Sequence, residues 1–367
     1  MRAGRMRAGR MKRVMKRRWA PCLAPVLSLG LSLILSLGLA GPATAQTGTP
    51  LVVEAALDRS VVQPLLDAFR DAHPEIALDF RDRSTLEIDD LVTLADPSPD
   101  VLISSAMPWQ MAQVNEGRAR RLDSAEVRDW PAWAKWRDEV FGFTFEPIVM
   151  AYRLDLSRRM LPPLTHADLH TLLTTEREAL AGKVTTYSPL GSGVGYTLFQ
   201  QDARYTPRFW DLVAGMGGVE ARLENSTRAM LKGLSDGRYW LGYNLLGSYA
   251  MVWAQEHPEV IVQVPQDYAL VLMRMAFVHR DAPHPDAAEA FVDFLLSHAG
   301  QRVLAGETPL FSVRPDVIGP YTAQRLRDQV GERLYPIPLN ASLLAFVDPQ
   351  RRDAFLARWR REFRRDD

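Results

Sequence analysis

The sequence predicts an α/β fold arranged in two lobes. Short apolar, β-prone runs alternate with helical patterns, which is the signature of βαβ units around a parallel sheet. About 320 residues follow a leader-like N-terminus, more than one hydrophobic core usually serves. Two long β-prone runs, residues 143–152 and 269–279, have the length to leave one lobe and return to it.

The elements follow in chain order. Leu51 to Ala56 reads as a buried strand, and Val62, Leu65, Leu66 and Phe69 then mark one apolar helix face at i, i+3, i+4 and i+7. That helix stops near His73-Pro74, because the residue before proline is pushed out of the α region. Ile76 to Phe80 is a second strand, and Asp100 to Ser105 a third. A Trp-rich stretch (Trp130, Trp133, Trp136) leads into the first crossing run. Thr165 caps a helix in which Asp168, three residues on, supplies a weak capping box. Val184 to Tyr187 and Trp240 to Asn244 are further strands, the second running into a helix opened by Gly247-Ser248-Tyr249-Ala250. Residues 287–304 and 349–365 read as amphipathic helices, the last rich in arginine with acids interleaved. The expected division is a signal peptide over 1–45, one lobe from 46–148 with about 270–320, the other from 149–269, and C-terminal helices over 321–367 packing on the lobes.

Residues 1–18 carry nine basic residues and no acid, an apolar run extends from Val26 to Ala40, and Ala43-Thr44-Ala45 follows. Basic region, apolar region and A-x-A site in that order specify a secretory signal peptide cleaved after Ala45. The apolar run is short of the roughly 20 residues of a membrane span. The repeated Met-Arg-Ala-Gly-Arg of residues 1–10 is compatible with translation starting at Met11 or Met15. Cleavage removes the one cysteine, Cys22, and with it any disulfide, thiol nucleophile or thiolate metal site. It also leaves 35 basic against 44 acidic residues, a net charge of about −9, which does not suit a nucleic-acid binder. The expected location is the periplasm.

Three strand ends turn into small hydroxyl residues before helical segments: Ser84-Thr85, Ser104-Ser105, and Ser188 with Ser192-Gly193. Ligands of open α/β sheets bind beyond the carboxyl ends of strands. Helix starts there offer unpaired N–H groups and a positive dipole end, which favour an anion. Any one of these serines alone is more simply a helix cap. Arg83 and Arg274 are the candidate countercharges, since a guanidinium matches planar anions. His166 and His170 stand at i, i+4, but they lack the H-E-x-x-H pattern and a third ligand and read as exposed first-turn residues. Trp109 and Tyr196 are candidates to line a cleft. There is no P-loop lysine after Gly191–Gly195, no G-x-S-x-G elbow and no zinc signature, so neither catalysis nor a cofactor is expected.

Four segments together resemble a known family: Asp100–Met107, Phe145–Tyr152, Ser192–Tyr196 and Leu234–Ala250. They look like periplasmic substrate-binding proteins of ABC importers, in the ferric-binding-like subgroup that includes hexose-phosphate binders and a phosphoglycerate-sensing regulatory protein. Residues 287–301 are similar to a segment common to the wider superfamily. The resemblance implies a type II periplasmic binding fold, hinged by crossover strands at 143–153 and about 268–280, that closes on its ligand. Ligand positions carried over by resemblance are Ser84, Thr85, Ser104, Ser105, Ser188, Ser192, Gly193 and Asn244, with Gln201-Asp202 as a polar pair for a sugar hydroxyl. The implied ligand is a small anionic solute, an organic phosphate above all, passed to an ABC permease or a sensor kinase by a monomeric protein. Ferric iron is the next reading, although the adjacent tyrosine pair of iron binders is absent here. An extracytoplasmic hydrolase is the third.

Overall fold

The computed structural model describes residues 48–94 and 98–364. The expected signal peptide lies outside the described residues. Thirteen strands form two sheets among these residues. In the first sheet, β1 (Thr49–Ala55) pairs in parallel with β2 (Ile76–Asp82) and β3 (Val101–Ser104). The far side of that sheet is antiparallel, made of β4 (Lys135–Trp136) and β5 (Val140–Gly142). The second sheet contains β6 (Glu146–Arg153), β7 (Val184–Tyr187), β8 (Arg222–Glu224), β9 (Leu241–Leu246), β10 (Val260–Gln263) and β11 (Ala269–Leu272). Then β12 (Met275–Val278) returns to the first sheet and inserts antiparallel between β3 and β5.

Up to β12 the chain therefore crosses between sheets twice, at Phe143–Phe145 and at Met273-Arg274. The second expected run, 269–279, is a pair of strands in different sheets, interrupted where the chain changes lobe. The first, 143–152, holds β6 alone, and its partner across the change of lobe, β5, ends just before it at Gly142. The two crossings are tied together: Phe143 N–H donates to the Arg274 carbonyl at 2.9 Å, and Arg274 N–H donates to Thr144 Oγ1 at 2.9 Å. Backbone groups this deeply buried need such partners, and the pairing makes one hinge of two strands.

Helices cover both sheets. The first, Arg59–Ala72, buries Val62, Leu65, Leu66 and Phe69, as the periodicity predicts, and ends one residue before His73. Thr165 and Asp168 form the capping box of the helix His166–Thr175. The region 287–304 differs from expectation, because it is two helices, Pro285–Leu296 and His298–Glu307. Ser297 has extended dihedrals between them, and its Oγ accepts the Gly300 N–H, capping the second helix. The C-terminal region is not helical throughout: β13 (Leu334–Pro336) extends the second sheet alongside β11. The last helix, Pro349–Phe363, buries Leu356 and Trp359, and the Trp359 ring lies 4.3 Å from Phe199. Among the described residues no helix is long and apolar enough to cross a membrane.

Candidate functional site

The lobes face each other across a cavity of about 230 Å³. It lies beyond the carboxyl ends of β1, β2, β3, β7, β8 and β9. Five helices of nine or more residues begin at its wall, since their N-terminal flanking residues Asp58, Ser84, Ser192, Ser226 and Leu246 all line it. Three of the five are capped by hydroxyls. Ser84 Oγ accepts the Glu87 N–H at 3.2 Å, Ser192 Oγ accepts Gly195 N–H at 3.2 Å, and Ser226 Oγ accepts Ala229 N–H at 3.2 Å. Each serine thus satisfies one helix N–H and still has its own hydroxyl hydrogen to donate. Ser105 is buried beside the cavity, and its Oγ has no hydrogen-bond partner among the described residues.

Three arginines stand in the wall, each already beside a carboxylate. Arg83 Nε lies 2.7 Å from Glu54, and Arg228 Nε donates to Asp58 at 2.8 Å. Arg274 is buried in the hinge, where its Nε donates to Glu146 at 2.8 Å and its Nη1 to the Ala56 carbonyl at 2.5 Å. Glu146 also accepts hydrogen bonds from Thr144 Oγ1 and Ser248 Oγ. Burial alone would lower the Arg274 pKa, but Glu146 holds it above the ordinary value, so the guanidinium stays charged. Both expected countercharges therefore reach the cavity, and Arg228 joins them.

The sequence-derived residues divide into two groups. Arg83, Ser84, Thr85, Ser105, Ser192 and Arg274 line the cavity. Four others are used elsewhere. Gly193 N–H donates across the cleft to Thr85 Oγ1 at 3.0 Å, so glycine and threonine bind each other. Ser104 Oγ is turned back onto Ala106 N–H and Ser188 Oγ onto Gly191 N–H, both as local turn caps. Asn244, at φ 64°, donates through Nδ2 to buried Asp202, which also accepts from Tyr243 and Tyr268 hydroxyls. Asp202 and Gln201 are wholly buried, a correction to their reading as a sugar contact. Trp109 and Tyr196 form a small apolar cluster with Leu356 outside the cavity, and their rings are 5.3 Å apart. His166 is likewise not exposed: it is buried, bonded to Asp267 at 2.9 Å and stacked on Tyr268.

Sequence reasoning missed Asp58, Asn225, Ser226, Thr227, Arg228, Leu246 and two tyrosines as cavity residues. Asn225-Ser226-Thr227 carries the same hydroxyl signal as the other strand ends, but β8, with three residues, is too short to show a strand pattern. Tyr187 and Tyr249 both line the cavity. Burial pushes the Tyr187 hydroxyl well up, and it pushes that of Tyr249 up to about 12. Among the described residues no group of three His, Cys, Asp or Glu side chains is placed to hold a metal ion.

Residues 51–307 match the family model described as bacterial extracellular solute-binding protein. The chain belongs to this family. Among solved structures, the substrate-binding protein of an ABC transporter from Agrobacterium tumefaciens is 32% identical, with a TM-score of 0.83 over 88% of this chain and 97% of that one. The periplasmic binding protein AfuA from Actinobacillus pleuropneumoniae, solved with exogenous fructose-6-phosphate bound, is 14% identical, with a TM-score of 0.69 over 86% of this chain and 99% of that one. Iron-bound HitA from Pseudomonas aeruginosa is 17% identical, with a TM-score of 0.65 over 86% of this chain and 99% of that one. No curated protein matches. This solute-binding protein is of the ABC-transporter type and has the two-lobed periplasmic binding fold, and a membrane permease is its implied partner.

Proposed function

We propose that this protein captures a small organic phosphate, a phosphorylated sugar or a close relative, between its lobes and delivers it in the periplasm to a permease. The observation that carries this reading is the convergence of five helix N-termini, three of them hydroxyl-capped, on a cavity that also receives Arg83, Arg228 and Arg274. Such ends present N–H groups and positive dipoles to an anion, and guanidinium groups add bidentate donors. Both lobes contribute, so a ligand touching both stabilises the closed form in preference to the open one. The chemistry is binding, with no catalytic step. The anion has to compete with Glu54, Asp58 and Glu146 for their arginines, which favours a doubly charged phosphate over a monoanionic carboxylate.

The test is a thermal-shift panel of hexose phosphates, phosphoglycerates, dicarboxylates and Fe(III). At 100 times its Kd a ligand adds about 2.7 kcal/mol, which for a protein of this size raises Tm by about 5 °C. A phosphate ester is expected to produce that shift. Ferric iron is the second reading, favoured by the presence of Tyr187 and Tyr249 with Asp58 and Asp82 in the same wall. Against it, deprotonating two buried phenols beside a structure that raises their pKa is costly. A Tm gain with Fe(III) and none with any phosphate would replace the proposal with iron binding.

A further inference from the structure

The cleft continues past the cavity just described. A second cavity of about 520 Å³ opens on its far side, and it too is shared by both lobes. Ser60, Val61 and Pro64 of the first helix and the segment Gly306–Pro309 form one wall; Val252, Trp253 and Glu256 form the other. The two cavities have two residues in common, Arg228 and Tyr249. Arg228 reaches across from the first turn of the helix Thr227–Ser235, its Nε donating to Asp58 at 2.8 Å and its Nη2 to Ser60 Oγ at 3.1 Å. Tyr249 completes the same boundary, its hydroxyl accepting the Asp58 N–H at 3.3 Å.

We infer that Arg228 sets the length of ligand that the cleft accepts. The inference rests on the organic-phosphate reading of the first cavity and adds a specificity-determining residue to it. With Arg228 bonded to Asp58 and Ser60, the cleft is partitioned. The first chamber, at about 230 Å³, is smaller than the roughly 300–1,000 Å³ of common small-molecule pockets, and opening it to the second chamber brings the space within that range. A compact phosphate ester fits in front of the partition, whereas a longer one needs the space that the guanidinium closes. The second chamber is also unsuited to another anion, because Glu256 and Glu307 stand in its wall with Trp253 and Tyr321. The far end of an admitted ligand is therefore neutral, a polyol or sugar ring lying against these aromatics.

The same guanidinium also bonds one lobe to the other, so its removal has two separable effects. Truncation weakens closure on every ligand and at the same time removes the length limit. A substitution at this exposed side chain leaves the cores untouched, and Arg228→Lys retains the charge while losing the fork that spans Asp58 and Ser60 together.

The experiment is calorimetric titration of the wild type, Arg228→Ala and Arg228→Lys with glycerol 3-phosphate, glucose 6-phosphate and trehalose 6-phosphate. The wild type is expected to bind the first two and to bind trehalose 6-phosphate at least 10-fold more weakly. In Arg228→Ala the ratio between disaccharide and monosaccharide phosphate should rise at least 10-fold, even as absolute affinity for the short esters falls. Arg228→Lys should lie between the two. An unchanged ratio in a variant that still binds glucose 6-phosphate overturns the inference and leaves the phosphate reading standing. Silence from all three proteins with all three esters overturns both.

Discussion

Arg274 and Glu146 are 128 positions apart and wholly buried together at the floor of the cleft. Two unpaired charges there would be costly, so each exists because of the other. Arg274→Met is expected to lower unfolding free energy by about 3–5 kcal/mol, because it strands the Glu146 carboxylate without its countercharge. Adding Glu146→Gln should return a large part of that loss, and urea denaturation of the single and double variants measures both. Equal midpoints for the single variant and the wild type would show that the pair carries no such charge coupling. The sequence displays Arg274 inside an apolar run, which marks it as unusual, but nothing local pairs it with Glu146. Only the crossing of the two hinge strands brings them together. The same holds for Asp58 and Arg228, whereas Ser84 and Ser192 are legible because their caps are made within three residues.

At the scale of single elements, the helix Gly193–Tyr205 is the most exposed to test. Its cap, Ser192, lies in the cavity wall, and its first residue touches the opposite lobe: a Cβ on Gly193 would stand 2.7 Å from the Ala106 Cβ. Ser192→Asp preserves the capping oxygen and adds a negative charge at the anion site. Ser192 is buried, so the added charge is expected to lower the apo melting temperature. Affinity for the responding phosphate ester should fall at least 10-fold beyond what Ser192→Ala, which loses only the cap, produces. Retained affinity would place the anion at another helix. Elements with a strong local signal, such as the helix Arg59–Ala72, are legible in their buried face and their end because an apolar stripe and a proline stop both belong to the segment itself. Elements that owe their state to neighbours are not. β8 and β13, three residues each, are strands because β7 and β11 offer open edges, and the break at Ser297 depends on one hydroxyl.

For the whole molecule, pH acts through histidines held below their usual pKa. His279 is held below its usual pKa by burial, against a raising contribution from the Val92 carbonyl that it faces at 3.2 Å. Its other nitrogen accepts the Asp281 N–H at 3.1 Å, an arrangement open to the neutral ring alone. His170 is lowered by burial and by Arg208. As pH falls, the unfolded chain takes up these protons first, so their contribution is complete above about pH 6.5 and is lost below it. Asp89 and Asp293, raised by burial, act in the opposite sense at lower pH. The contrast between His279→Gln and the wild type isolates one group: the drop in Tm from pH 7.5 to 5.5 should be smaller in the variant. An identical drop would show that this imidazole does not titrate with folding. Two lobes were legible from chain length and two long β-prone runs, since both are properties of the whole sequence. The partition of the cleft was not, because it depends on side chains contributed from both lobes. The return of β12 to the first sheet has a consequence for synthesis. Until residue 278 has been made, that sheet is two unconnected pieces, β2-β1-β3 and β5-β4, with the place between them vacant. Contacts of such sequence separation form slowly, so the nascent N-terminal half has no finished structure to settle into.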